Sequence, residues 1–146
     1  MPLPARLSFI GDVDNRTADE VTGELGRLSH SDAFRVRLTH LGAFGGDRPR
    51  ALFAAVDSSP ALDRLQAAHE RALRRVGIIP DARKFVPHVS LARLKGTSAL
   101  EVADFIHGMG HFAPLEFTIG RFVLFSSKTS VGGGPYLVEQ SYPLAA

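Results

Sequence analysis

The chain has 146 residues, 17 Lys+Arg against 15 Asp+Glu, and no cysteine. That length suits one domain spanning residues 1–146, whether or not it is divided into two lobes. The composition excludes disulfides, a thiolate nucleophile and cysteine-ligated zinc, and a formal charge of +2 is no nucleic-acid footprint by itself. No run approaches the roughly 18 apolar residues of a membrane span. The start, MPLPARLSF, lacks the basic start followed by an apolar run that marks a secretory leader. A cytoplasmic protein with no membrane attachment is the expectation.

Leu3 to Ile10 reads as a first strand running into Gly11-Asp12. Thr17 to Leu28 reads as a helix, with Asn15 or Thr17 as its cap and Asp19 and Glu20 in its first turn. Phe34 to Ala43 alternates apolar and polar residues, the mark of a half-buried strand. Gly45 to Pro49 is a turn and Ala51 to Val56 a buried strand, so the two strands make a hairpin. Ser59 precedes a helix from Pro60 to Val76, with Leu62, Leu65, Ala68, Ala72 and Val76 as its buried stripe. Phe85 to Leu94 is the next strand. Ser98-Ala99-Leu100-Glu101 is a capping box that opens a helix ending near Gly108. Leu115 to Phe125 reads as one long strand, bulged at Gly120. Ser127 to Pro135 is a hairpin loop, and Tyr136 to Leu144 closes the chain as a strand. The order β-α-β-β-α-β-α-β-β favours an α+β fold with antiparallel sheets. Two strands that run into a glycine turn before a helix, ending at Gly11 and Gly96, hint at two related halves.

Within Phe85–Leu94, strand alternation puts His88 and Ser90 on one face and Val89 and Leu91 on the other. By the same alternation Arg93 falls opposite His88. An imidazole titrates near neutral pH and can take or give a proton, and a hydroxyl can hold a phosphate oxygen. The pair suits metal-free phosphoryl chemistry. In-line opening of a cyclic phosphodiester needs a base on the entering water and an acid on the leaving oxygen, at opposite apical positions. One histidine cannot serve both ends at once, so a second such group is expected. A histidine bonded to a neighbouring backbone group is the plain alternative for His88.

The segment Pro87-His88-Val89-Ser90-Leu91-Ala92-Arg93 resembles the second His-x-Thr/Ser-x motif of the 2H phosphoesterase superfamily. Within it, the chain is most similar to the bacterial 2′-5′ RNA ligase / RNA 2′,3′-cyclic phosphodiesterase family. Leu41-Gly42-Ala43-Phe44, Pro49-Arg50-Ala51-Leu52-Phe53 and Tyr136 through Pro143-Leu144 support the likeness, which runs from about Leu7 to the C-terminus. The resemblance implies a bilobal, pseudo-symmetric α+β fold: two antiparallel sheets flank a central cleft, with helices outside. It implies opening of a 2′,3′-cyclic phosphate to a 2′-phosphate, without a metal or other cofactor, on an RNA end or cyclic nucleotide. His88 would then be an acid/base and Ser90 a phosphate anchor, with Arg6, Arg93 and Lys95 as phosphate contacts. The family's first motif ends as Phe9-Ile10-Gly11-Asp12 does, but its histidine and threonine positions fall on Pro4 and Arg6. The first lobe is therefore expected to be incomplete and the activity weakened or lost. A sheet edge left uncovered would invite pairing with a second copy, so a homodimer is an expectation too. The reading from a different class is a non-catalytic module that binds RNA ends or nucleotides.

The other histidines read as structural. His40 has the wrong order for the motif (Thr39-His40), and His69 is a packing or surface residue of its helix. His30, His107 and His111 lie at helix ends or loops, and no pair has metal-ligand spacing. Gly132-Gly133-Gly134 lacks the order of a phosphate-binding loop, although Lys128 could border the site.

Overall fold

The computed structural model describes residues 7, 8, 10–57, 59–80, 84–109, 111–127 and 136–146. The expected first strand, Arg6 and the glycine-rich loop with Lys128 lie wholly or largely outside these residues. The elements are α1 (Asn15–Gly26), a 3-10 turn (Arg27–His30), β1 (Phe34–Phe44), β2 (Ala51–Val56), α2 (Pro60–Arg75), β3 (His88–Arg93), α3 (Ala99–Met109), β4 (Leu115–Ile119), β5 (Arg121–Ser127) and β6 (Tyr136–Pro143). The fold is α+β, in two sheets, with β1–β2, β2–β3 and β5–β6 paired antiparallel. Among the described residues no helix is long and apolar enough to cross a membrane.

Two compact units divide the chain, each built from separate stretches of sequence. One takes Arg35–Ser59 and Ala82–Phe117. Its sheet has the order β3-β2-β1-β4. Phe53, Ala54 and Ala55 of β2 are buried, as a strand with neighbours on both sides should be. The turn after β1 uses Gly45 and Gly46 at φ +110° and +54°, a region that L side chains enter at a cost. The capping box forms as expected: Glu101 N–H donates to Ser98 Oγ at 3.1 Å, and α3 buries Val102.

The other unit takes Ser8–Phe34, Pro60–Asp81 and Thr118–Ala146. Here α1 begins two residues earlier than predicted, because Asp14 is its cap and not Asn15 or Thr17. Asp14 Oδ1 accepts from the Thr17 N–H at 2.8 Å, and these Thr17 bonds hold its carboxyl below the usual range. Asp19 and Glu20 therefore fall outside the first turn. Glu24 of α1 accepts from Arg75 of α2 at 2.7 Å. The buried stripe of α2 is Leu62, Leu65, His69, Ala72 and Leu73, so His69 and Leu73 replace the predicted Ala68 and Val76. Leu73 and Val21 are the largest fully buried side chains among the described residues, each stabilising by about 1.5–3 kcal/mol. The predicted strand Leu115–Phe125 is two strands, in different sheets. It breaks at Gly120, whose carbonyl accepts from the Leu144 N–H at 2.8 Å. Phe122 and Tyr142 face each other across β5 and β6 with rings stacked at 4.8 Å, and the Tyr142 hydroxyl donates to the Thr22 carbonyl at 3.1 Å.

Candidate active site

His88 opens β3 directly after Pro87, which fixes its own φ and has no N–H to donate. The Pro87 carbonyl accepts from the Val56 N–H at 3.1 Å and docks the strand's start on β2. The imidazole turns back on its own chain, with Nδ1 2.6 Å from the Val86 carbonyl oxygen. A carbonyl only accepts, so Nδ1 carries the proton, and in the neutral ring Nε2 holds the free lone pair. The ring is half-buried, within reach of a ligand.

Directly opposed residues on neighbouring strands share a face. The register therefore maps the surface around His88 as three rows across β1, β2 and β3: His40–Ala55–His88, Gly42–Phe53–Ser90, and Phe44–Ala51–Arg93. Two bulges shape it. On β3 the pairing runs from Phe53↔Ser90 to Leu52↔Ala92, so Leu91 is an extra residue and the alternation reverses beyond it. Arg93 thus joins the face of His88 and Ser90, not the opposite face that strict alternation predicts. On β1 the extra residue is Thr39, which places His40 in the row of His88.

Aromatic rings fill part of this face. A Cβ on Gly42 would lie 2.5 Å from the Phe53 ring, so only glycine leaves room for Phe53 to lie there. Phe44 stacks on Phe53 at 4.4 Å, and both rings meet His88 edge-on, at 4.9 and 5.4 Å. Phe44 and His88 occupy opposite corners of the three rows, about 16 Å apart between backbones on a flat sheet. Their ring contact means that the sheet curls toward this face.

Of the predicted site residues, His88, Ser90 and Arg93 share a face. The Ser90 hydroxyl and the exposed Arg93 guanidinium have no partner among the described residues. Lys95 is exposed in the turn at the far end of β3, about 20 Å of strand from His88, so the imidazole and this ammonium are not neighbours. Arg6 lies outside the described residues. Two cations that no motif singles out, Arg35 and Arg37 of β1, both reach Glu116 of β4, at 3.0 and 3.5 Å. One carboxylate leaves such a pair net positive. No local signal marks them, because they share an anion only through the sheet. His30, His107 and His111 are exposed.

The second unit offers a contrast. His69 is buried, its Nδ1 2.7 Å from the Leu65 carbonyl and its ring edge-on to Phe122. Burial lowers its pKa, with the Leu65 bond opposing. An open depression between α1 and α2 is lined by Glu20, Glu24, Arg27 and Arg75, and both arginines pair with Glu24. It carries no proton-transfer group suited to neutral pH.

Residues 5–130 match the family described as the 2'-5' RNA ligase superfamily. An RNA 2',3'-cyclic phosphodiesterase of Aeropyrum pernix is 38% identical over 96 residues, 64% of this chain and 54% of the relative. The chain thus spans about half the length of that protein. An RNA 2',3'-cyclic phosphodiesterase of Aquifex aeolicus is 31% identical over 93% of this chain and 75% of its own length. The crystal structure of a Thermus thermophilus protein has the same fold, with a TM-score of 0.77 at 24% identity over 98% of this chain and 81% of that one. With most of its length matched to one family, and a relative above 30% identity aligned along nearly all of it, the chain belongs to the 2'-5' RNA ligase superfamily.

Proposed function

We propose that the chain opens RNA 2′,3′-cyclic phosphates to 2′-phosphates, with the His88 imidazole transferring a proton and the Ser90 hydroxyl holding a phosphate oxygen. The observation that carries this is the tethered His88 ring: its Nδ1 is fixed on the Val86 carbonyl, and Nε2 is left for chemistry beside a hydroxyl with no partner among the described residues. The names of the relatives support the substrate class. Binding alone, without turnover, has no comparable support.

The distances sort the cations. Arg93 lies four residues of β2 register from His88, about 13 Å, and Lys95 lies farther on. They suit the phosphates of the preceding nucleotides, while the cyclic phosphate sits at His88 and Ser90. Such contacts add affinity and orient the strand without reading its sequence. A location in the cytoplasm, where RNA ends arise, goes with this reading. The expected homodimer has its support in the edge strand β4, where Leu115 and Phe117 are exposed; gel filtration at the mass of a monomer would remove it.

The test is turnover of adenosine 2′,3′-cyclic phosphate by the wild type and by His88→Asn, with the product followed by phosphorus NMR. Wild-type formation of the 2′-phosphate, reduced by about 10²–10⁴-fold in the variant, is expected. Equal rates remove His88 from the mechanism, and binding of the nucleotide without turnover leaves only a binding module.

A further inference from the structure

We infer that His40 is the second acid/base group of this site, acting on the same phosphate as His88. Its role rests on the cyclic phosphodiesterase reading above. In-line displacement asks for a base at one apical oxygen and an acid at the other, and a single imidazole cannot occupy both places. Pro4 and Arg6, which fall where the resemblance puts the first motif's histidine and threonine, transfer no proton near neutral pH. His40 has the right chemistry, and three observations place it.

First, His40 and His88 share one row and one face of the sheet, each opposed to Ala55 from its own side. Two strand spacings separate their backbones by about 10 Å. Only the methyl group of Ala55 stands between them in that row. Two imidazoles reaching inward from this separation can meet opposite sides of one phosphate.

Second, the His40 ring is held in a defined state. The Thr39 hydroxyl donates to Asp57 Oδ1 at 3.1 Å and lies 3.1 Å from His40 Nδ1. A carboxylate only accepts, so the single hydroxyl proton goes to Asp57, and His40 Nδ1 must be the donor to Thr39. The neutral ring then carries its lone pair on Nε2, as His88 does. Two histidines on one face, each tethered through Nδ1, present the same nitrogen for reaction.

Third, the bulge at Thr39 is what creates the arrangement. The extra residue in β1 brings Thr39 to Asp57 and puts His40 in the His88 row. Bulges commonly re-aim side chains beside active sites. His40 is exposed and its Nε2 has no partner among the described residues, so no structural role competes for that nitrogen.

The reaction balances with these two groups. Water attacks phosphorus, and the imidazole that starts neutral takes the water's proton. The bond from phosphorus to the 3′ oxygen breaks, and the imidazole that starts protonated gives its proton to that oxygen. The products are a 2′-phosphate monoester and a 3′-hydroxyl, and proton exchange with solvent restores both rings.

The experiment measures kcat and KM for adenosine 2′,3′-cyclic phosphate across pH with the wild type, His40→Asn, His40→Gln and His88→Asn. Asparagine keeps a donor toward Thr39 and removes Nε2, glutamine keeps a donor near Nε2, and neither can cycle a proton. Should one variant fail to fold by circular dichroism, the other carries the test. The expected result is a fall of about 100-fold or more in kcat for either His40 variant, with KM within about threefold and one limb of the bell-shaped pH profile lost. Wild-type kcat with both limbs intact in the His40 variants, while His88→Asn is inactive, overturns the role of His40 alone. A wild type that binds adenosine 2′-phosphate but turns over no cyclic substrate overturns this inference together with the proposed function.

Discussion

His88, in the unit of the four-stranded sheet, and His69, in the unit that holds α1 and α2, make the same two kinds of contact. Each gives its Nδ1 proton to a backbone carbonyl, Val86 at 2.6 Å and Leu65 at 2.7 Å, and each meets aromatic rings edge-on. They differ in what surrounds the rest of the ring. His69 points from the buried stripe of α2 against Phe122 and is 6% exposed. His88 sits at the start of a strand on a curled, polar-edged face, half-buried, with a hydroxyl and an arginine on the same side. A carbonyl tether selects a tautomer in both places. Access to the second nitrogen decides whether that tautomer serves packing or proton transfer.

The sharpest way to break this contrast is to remove both rings in turn. His69→Ala is expected to cost about 2–3 kcal/mol of stability while the folded fraction keeps wild-type turnover. His88→Asn is expected to do the reverse: activity lost, with the denaturation midpoint nearly unmoved. Urea melts paired with the cyclic phosphate assay read both, and either of these two histidine variants changing both quantities together would erase the distinction.

A smaller effect is expected from Gly42→Ala. The new methyl would stand 2.5 Å from Phe53 Cζ, and the buried Phe53 ring must tilt to admit it. Because that ring also borders His88, about 1–3 kcal/mol of stability should go together with part of the turnover. Loss of stability with full activity would show that the aromatic pair does not position the imidazole.

The smallest effect sharpens the contrast from the pH side. Burial lowers the pKa of His69 below 6.5, so the unfolded chain takes up a proton that the folded chain resists. Stability from this group is complete above the unfolded value and declines as pH falls below 6.5. The wild-type melting temperature should therefore drop between about pH 7 and pH 5.5, and the slope should flatten in His69→Gln. An unchanged slope in the variant would place the charge-sensitive group elsewhere.

How much of this is readable from the chain follows from which interactions are local. The capping box at Ser98 and Glu101, β2 at Ala51–Val56 and the start of α2 at Pro60 depend on neighbours a few residues away, and each forms where the residues predict. The pairing of His88 with Ser90 on one face is also local, since it needs only strand alternation. The bulges at Leu91 and Thr39 are not local. They are mismatches of register between strands, and they alone bring Arg93 and His40 to the site. The break at Gly120 likewise depends on Leu144, 24 residues along the chain, claiming its carbonyl. His69 is hard to place in the core from sequence because a polar type at a stripe position reads as an edge, until the Leu65 carbonyl supplies its partner.

The most direct measurement is nitrogen-15 NMR of the imidazole rings during titration with adenosine 2′-phosphate. The Nε2 signal of His88 should move as the nucleotide saturates, while the His69 signals stay in place. An unmoved His88 signal at saturating nucleotide, or a neutral His88 ring that carries its proton on Nε2 and leaves Nδ1 bare, would contradict the account.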